Sequence, residues 1–194
     1  LVTAVAGQDS ATVRTLLKAR IDVNAARADG ATALLWAAHW NDQGTASLLL
    51  RAGAKVNAAD DHGVTPLAQA AENASSAMAE VLLAAGANPN TVQTNGLTPL
   101  MIAARTGNVQ LVKMLLAHGA DVNAATTKTH ATALMWSLSE NHPAITRTLL
   151  EAKADVRVST TRGFTPLMFA ALSGDIEMAR ALMAAGARIS DVPS

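Results

Sequence analysis

The side chains of this sequence that can do chemistry are serines, acidic residues and five histidines, and none has the spacing of a known catalytic site. No serine lies in a Gly-x-Ser-x-Gly turn between a strand and a helix, so a nucleophilic triad has no support. The sequence also lacks a Gly-rich phosphate loop, a His-Glu-x-x-His motif and the spacing of a calcium-binding loop. We therefore expect no catalytic residue, no cofactor and no small-molecule substrate in this segment.

The histidines do not form the pattern of a metal site. His39, His62 and His130 fall on one side of the repeating pattern described below, but the chain has no cysteine and few paired carboxylates there. We interpret them as polar side chains that face solvent. His118 and His142 fall at a helix end and in a short turn, where a polar residue near water is expected.

The charge balance argues against nucleic-acid and membrane partners. Fifteen basic and fifteen acidic residues cancel in 194 residues, and the pI is near 7.2. Charged residues interrupt every apolar run well before the roughly 18 residues that a membrane span needs. The chain begins at Leu1 without a signal-peptide pattern, so we expect a fragment, and its localisation stays unassigned.

The chain repeats itself with a period of 33 residues. Its threonine-containing tripeptides are spaced by 33, 33, 34 and 33 residues: Thr32-Ala33-Leu34, Thr65-Pro66-Leu67, Thr98-Pro99-Leu100, Thr132-Ala133-Leu134 and Thr165-Pro166-Leu167. A second marker keeps a step of 33: Asn24, Asn57, Asn90 and Asn123. Such a fixed period predicts a stack of supersecondary units rather than a globular domain.

These blocks resemble the ankyrin repeat. The resemblance rests on Thr-Pro-Leu, Ala-Ala and Leu-Leu pairs and on Gly119-Ala120-Asp121-Val122-Asn123, and it covers the whole chain. It implies an all-α solenoid in which helix-turn-helix units are joined by β-hairpin loops. The Ala-rich, Cys-free composition is also similar to that of bacterial ankyrin proteins.

The period gives the expected domain organisation. We expect one domain over residues 1–194, with a partial repeat at 1–26 and five full repeats at 27–59, 60–92, 93–125, 126–159 and 160–192. Each repeat threonine should cap its first helix, with proline tolerated at the next position. The glycine after the second helix can take the left-handed conformation that ends it. Both ends of the chain are apolar, so we expect further repeats or removed caps beyond them.

The fourth full repeat departs from the pattern. Its hairpin is one residue longer, and His130 stands where the other repeats have glycine, so the hairpin tip should differ in shape. Lys153 replaces the helix-ending glycine and Arg157 replaces the loop asparagine, which should weaken the helix end by about 1 kcal/mol. These features predict a weak joint, and the alternative interpretation, which we prefer, is sequence drift in a tolerant repeat.

All five aromatic residues fall on the hairpin and first-helix side of their repeats. Trp36, Trp136 and Phe169 follow the repeat threonine by four residues, where they either anchor a partner or pack between consecutive first helices. Trp40 and Phe164 lie nearer the exposed edge and are the preferred anchors. The family resemblance implies that a partner binds on this side.

Charged residues on the same side are sorted along the chain. Asp29, Asp61 and Glu72 belong to the N-terminal half, whereas Arg105, Lys128 and Arg162 belong to the C-terminal half, with Glu140 against the trend. We therefore expect a groove that is acidic at one end and basic at the other, which would orient a partner. The predicted partner-binding set is Trp36, His39, Trp40, Asp61, His62, Arg105, Lys128, His130, Trp136, Arg162, Phe164 and Phe169.

The expected function is that of a non-catalytic, monomeric protein-protein interaction module whose concave face holds a protein partner. Three alternatives stay open: the substrate-recruiting arm of a larger enzyme, a bacterial effector acting in host cells, and a scaffold that assembles through its apolar ends. The residues do not name the partner, because surfaces of this kind bind by shape rather than by a transferable motif.

Overall fold

The structure is an all-α stack of helix pairs. The computed structural model describes residues 1–191, and these contain twelve helices in six consecutive pairs. The first helices of the pairs pack side by side in one row, and the second helices pack in another. The first row contains α1 (Val2–Ala6), α3 (Ala33–His39), α5 (Pro66–Glu72), α7 (Pro99–Thr106), α9 (Ala133–Ser139) and α11 (Pro166–Leu172). The second row contains α2 (Ser10–Lys18), α4 (Gln43–Arg51), α6 (Ser76–Ala84), α8 (Val109–Ala117), α10 (Pro143–Glu151) and α12 (Ile176–Ala184).

Short hairpins connect the pairs. Each is closed by a backbone hydrogen bond such as Arg27 N–H to Ala31 O at 3.0 Å, and isolated antiparallel bridges join Ala26 to Thr32 and Ala125 to Thr132. No longer strand forms in residues 1–191. Residues 1–26, expected as a partial repeat, hold a helix pair with no hairpin before it. The predicted ends of the last repeat at 192 and of the domain at 194 lie outside the described residues.

The predicted first-helix caps are confirmed. In every full repeat the threonine hydroxyl accepts a hydrogen bond from the amide three residues on, at distances from 3.2 to 3.4 Å. Proline follows at the first helical position in α5, α7 and α11. Second-row helices are capped by Asp, Ser or Asn, except for α10, whose preceding His142 makes no side-chain capping bond. At α2, hydrogen bonds from the Thr12 hydroxyl and amide lower the pKa of the exposed Asp9 carboxyl.

The core lies between the two rows. First-row helices contribute both small residues and large ones such as Leu34 and Leu100, and second-row helices contribute leucines. Alanines five residues after the repeat threonine are fully buried, and they let neighbouring first-row helices approach closely: Ala37, Ala70, Ala103 and Ala170. Each second-row helix from α4 onward contributes a fully buried leucine: Leu49, Leu82, Leu115, Leu149 and Leu182. These small side chains allow the first-row helices to pack closely, as the alanine pairs predicted.

The periodic asparagines join consecutive repeats. The Asn90 side chain donates to Gly119 O at 2.8 Å and accepts from the Asp121 amide at 2.7 Å. Asn57 and Asn24 make the same two bonds one and two repeats earlier. Asn123 keeps only the bond from the Asp155 amide, and Arg157, in the next asparagine position, donates a single bond from Nε to Gly186 O. The side-chain links between repeats are therefore fewer at the C-terminal end of the stack.

The fourth full repeat has the altered hairpin that the sequence predicted. The His130 amide bonds to Thr126 O, four residues back, whereas the corresponding glycines bond three residues back. His130 nevertheless adopts a φ of +53°, although its Cβ was expected to disfavour a positive φ. The tip therefore differs in shape because the hairpin has one extra residue, and not because His130 avoids a positive φ.

This longer hairpin also interrupts a row of backbone bonds between hairpins. Neighbouring hairpins are linked by Asp61 N–H to Asp29 O, Thr94 N–H to His62 O and Thr161 N–H to Thr129 O, at 2.9 to 3.1 Å. Within the described residues, no equivalent bond joins hairpin 93–97 to hairpin 126–131. The row is continuous before and after this seam, which lies between α7 and α9.

Replacing Lys153 with glycine is expected to stabilise the protein by about 1 kcal/mol, because Lys153 adopts a φ of +66° at the end of α10. Glycine takes this conformation without the steric cost that a Cβ imposes. The midpoint of urea unfolding measures the effect. The control is Ala152→Gly, since Ala152 has an ordinary φ of −78° and glycine there should destabilise. An unchanged or lower midpoint for Lys153→Gly would contradict the prediction.

Candidate functional site

The hairpins and the adjoining side of the first-row helices form one continuous surface, called here the hairpin face. It carries all twelve predicted partner-binding residues, which lie in the hairpins, in α3, α7, α9 and α11, or at the end of α3. The structure separates their aromatic members into two clusters at opposite ends of the first row. The α5 and α7 positions that correspond to Trp36 hold Gln69 and Ile102, so no aromatic residue lies between the clusters.

The C-terminal cluster lines a recess of about 470 Å³ between α9, α11 and their hairpins. Trp136, Phe164, Phe169 and Leu172 form most of its apolar lining, and the rings of Phe164 and Phe169 lie 6.0 Å apart between centroids. Hairpin threonines and Arg162 complete the rim. We call this site the aromatic recess; it contains three of the five aromatic residues of the chain.

The side chains that line the recess differ in their exposure to solvent. Trp136 and Phe169 are half-buried and pack against the core, so their rings both stabilise the stack and line the recess. Phe164 is 39 % exposed and Leu172 is 74 % exposed. The two residues that offer most unpaired apolar surface are therefore Phe164 and Leu172.

Sequence reasoning missed Leu172, because only aromatic residues were considered as anchors. A signal was present in the repeat alignment. The position seven residues after the repeat threonine holds His39, Glu72, Arg105 and Ser139 in the first four full repeats and Leu172 in the fifth. A large apolar residue at a position that is otherwise polar indicates a contact surface.

The N-terminal cluster is formed by Trp36, His39 and Trp40 on α3. The His39 ring packs edge-on against both tryptophans, at centroid distances of 5.3 and 4.7 Å, and the Arg27 guanidinium lies 5.6 Å from the Trp36 ring centroid. Trp40 is 43 % exposed, but its indole N–H donates to Ala6 O at 3.1 Å. Trp40 therefore also fastens α3 to the preceding helix pair, a structural role that the sequence did not predict.

Trp36 and Trp136 occupy equivalent positions and share an unusual feature. The indole N–H of each is shielded from solvent and has no hydrogen-bond partner among residues 1–191. Leaving such a donor unpaired costs roughly 1–3 kcal/mol. Each ring also has an arginine over it, Arg27 for Trp36 and Arg105 for Trp136. The packing of each ring against the core and the arginine over it offset this cost.

The predicted separation of charge is wrong for one pair. Glu72 and Arg105, assigned to opposite ends of the groove, form an ion pair in which the Arg105 guanidinium lies 2.6 Å from the Glu72 carboxylate. They meet because they occupy equivalent positions on the adjacent helices α5 and α7. Arg105 also lies 5.9 Å from the Trp136 ring centroid, so its charge is already engaged within the chain.

The other polar and charged members of the predicted set lie at the hairpin tips, whereas Glu140 is exposed at the end of α9. Asp61 and His62 are exposed on the hairpin between α4 and α5, and Lys128, His130 and Arg162 are exposed on the last two hairpins. Neither Lys128 nor Arg162 makes an ion pair within residues 1–191. Across the same residues, no three His, Asp or Glu side chains are grouped as ligands for a metal ion.

The repeated pattern of the chain matches a known family. A model of ankyrin repeats matches three overlapping stretches, residues 1–93, 82–160 and 126–192. The chain belongs to the ankyrin-repeat family. Ankyrin repeats are generally protein-protein interaction modules and are typically not enzymes. Among curated proteins, none matches this ankyrin-repeat chain. None of its helices in residues 1–191 has both the length and the apolar character needed to cross a bilayer.

Proposed function

We propose that this ankyrin-repeat chain binds a protein partner on its concave hairpin face, with the aromatic recess as the main contact. The observation that carries the proposal is the recess itself, where Trp136, Phe164, Phe169 and Leu172 surround about 470 Å³ of open space. Aromatic side chains are enriched at the centres of protein interfaces, and a few well-buried side chains there contribute most of the binding energy. Sites that take ligand groups are concave and mostly apolar in the same way.

Covering the exposed side chains of Phe164 and Leu172 is energetically favourable. Leu172 and Phe164 keep 74 % and 39 % of their surface in water, and removing apolar surface from water contributes about 25 cal/mol per Å². Trp136 and Phe169 are held against the core, so little side-chain freedom is lost when a partner covers them. The recess is therefore preformed, and a partner that binds there would restrict the motion of few additional side chains.

The N-terminal cluster is proposed as a second contact. Trp36, His39 and Trp40 form a packed aromatic group on α3. The exposed hairpin residues Asp61, His62, Lys128, His130 and Arg162 lie on the same face and are proposed as polar contacts around the two clusters. Arg105 is proposed to act through the Trp136 ring that it covers rather than as a free charge.

Replacing Phe164 and Leu172 together with alanine is expected to abolish most partner binding while leaving the fold intact, because both side chains are exposed. The loss should be about 30-fold in affinity, which corresponds to 2 kcal/mol for an anchor pair. Proteins retained from a lysate of the source organism would be compared between wild type and variant by quantitative mass spectrometry, and the affinity of each candidate then measured.

The matched control is Ile176→Ala with Ile189→Ala. Ile176 begins α12 and is 67 % exposed, Ile189 lies in the turn after α12 and is 84 % exposed, and neither lines the recess. Thermal unfolding of both double variants should match that of wild type. Equal retention by wild type and the Phe164 and Leu172 variant, or a loss confined to the isoleucine control, would overturn the proposed function.

A further inference from the structure

We infer that the aromatic recess accepts a bulky apolar side chain from a protein segment that carries acidic residues beside it. This inference rests on the proposed function, and it adds the chemistry of the partner. Two observations carry it: the composition of the recess lining and the unpaired cations at its rim and on the adjoining hairpin.

The lining contains a single charged side chain. Arg162 borders the recess, and none of the residues that line it is acidic. The other lining side chains are apolar or carry hydroxyl groups, as Thr129, Ser139 and Thr160 do. A partner side chain that enters between the rings is therefore apolar, and a carboxylate beside it meets a cation rather than another carboxylate.

A second cation stands next to the first. Hairpin 160–164 is bonded to hairpin 126–131 through Thr161 N–H to Thr129 O at 3.1 Å and Thr161 Oγ1 to Lys128 O at 3.4 Å. This pairing places Lys128 on the neighbouring tip beside Thr161 and Arg162. Residues 126–131 and 160–164 include Lys128 and Arg162 and no Asp or Glu. Arg162 at the rim and Lys128 on the adjoining hairpin therefore give this end of the hairpin face two positive charges, with no acid on the same hairpins.

The hairpins at the N-terminal end of the hairpin face are mainly acidic. Its hairpins carry Asp29, Asp60 and Asp61 against a single Arg27, whose guanidinium lies over Trp36. Hairpin 93–97, between the two ends, carries no charged residue. An acidic segment is thus attracted to the C-terminal end and repelled from the N-terminal end, which fixes its position and direction.

The same features favour a protein segment over a nucleic acid or a lipid surface. A nucleic-acid backbone needs many cations along its path, whereas these two hairpins offer two and the chain has a net charge of zero. A flat anionic bilayer does not fill a recess that is formed between two helices and two hairpins. A single apolar side chain flanked by acids fits both the shape and the charge.

The test is selection of random-sequence displayed peptides on the intact chain. Wild type is expected to enrich peptides with a bulky apolar residue next to Asp or Glu. Fluorescence anisotropy with one enriched peptide should then show about tenfold weaker binding to Lys128→Glu with Arg162→Glu, and the difference should shrink as salt is raised. The control is Lys18→Glu with Lys113→Glu, which makes the same charge change on exposed second-row residues and should bind like wild type.

The outcomes separate this inference from the proposed function. Enriched peptides that lack acids, but still lose binding in the Phe164→Ala, Leu172→Ala variant, would overturn the inference and leave the proposed function in place. Enriched peptides that bind the Phe164→Ala, Leu172→Ala variant as tightly as wild type would overturn both the inference and the proposed function. Failure to enrich any peptide, or tighter binding of labelled duplex DNA or phosphatidylserine vesicles through Lys128 and Arg162, would also overturn the inference.

Discussion

Replacing Gly96 with alanine is expected to destabilise the protein by roughly 3 kcal/mol. Gly96 has a φ of +86° at the tip of its hairpin, where a Cβ would lie 2.7 Å from the Thr127 amide nitrogen and 3.1 Å from the Thr126 Cα. The left-handed conformation costs an alanine about 1–2 kcal/mol, and the contact with fixed backbone adds to it. The free energy of unfolding from urea titration measures the loss.

A second glycine separates these two causes. Gly119 has nearly the same φ, +84°, but no atom lies within 4 Å of a Cβ built there. Gly119→Ala should therefore lose only the conformational part, about 1 kcal/mol. Equal losses at the two positions would show that the close approach of hairpin 126–131 to Gly96 does not contribute.

Enlarging Ala103 to leucine is expected to destabilise the protein by about 3 kcal/mol or more, because its side chain is fully buried in α7 between α5 and α9. The extra methyl groups would force the first-row helices apart in the middle of the stack. A loss of this size would lower the midpoint and broaden urea unfolding, as helix pairs on either side begin to unfold separately.

The control for Ala103→Leu is Ala171→Leu. Ala171 is exposed near the end of α11, so leucine there adds the same atoms without entering the core. Its free energy of unfolding should stay within about 0.5 kcal/mol of wild type. A similar loss in both variants would mean that close packing of the first-row helices is not what requires alanine at position 103.

The period of the sequence predicted a stack of repeated units, and the resemblance to the ankyrin repeat implied the helix pairs within them. The repeat threonines cap the first helices because each hydroxyl meets an amide that lacks a partner within its own helix, a local arrangement that the tripeptide specifies. The paired alanines likewise predicted closely packed first helices, since a residue without a long side chain at a repeated position leaves room for the neighbouring backbone.

The candidate site was predicted less completely, because it depends on contacts between repeats. The side to which Phe164 and Phe169 belong followed from their place in the repeat, but their common recess with Trp136 requires the packing of α9 against α11. The Glu72–Arg105 pair and the bond from Trp40 to Ala6 O join residues 33 and 34 positions apart. No local pattern marks such pairs until the repeats are stacked and equivalent positions become neighbours.

At the seam, where no backbone bond joins hairpin 93–97 to hairpin 126–131 among residues 1–191, neighbouring repeats are held by the packing of α7 against α9 and by a contact of the His142 ring Nε2 with Arg105 O at 3.1 Å. The seam lies between α3, which carries Trp36 and Trp40, and the recess between α9 and α11. The distance between the two aromatic clusters therefore depends, at this interface, on the packing of α7 against α9 rather than on backbone bonds between hairpins.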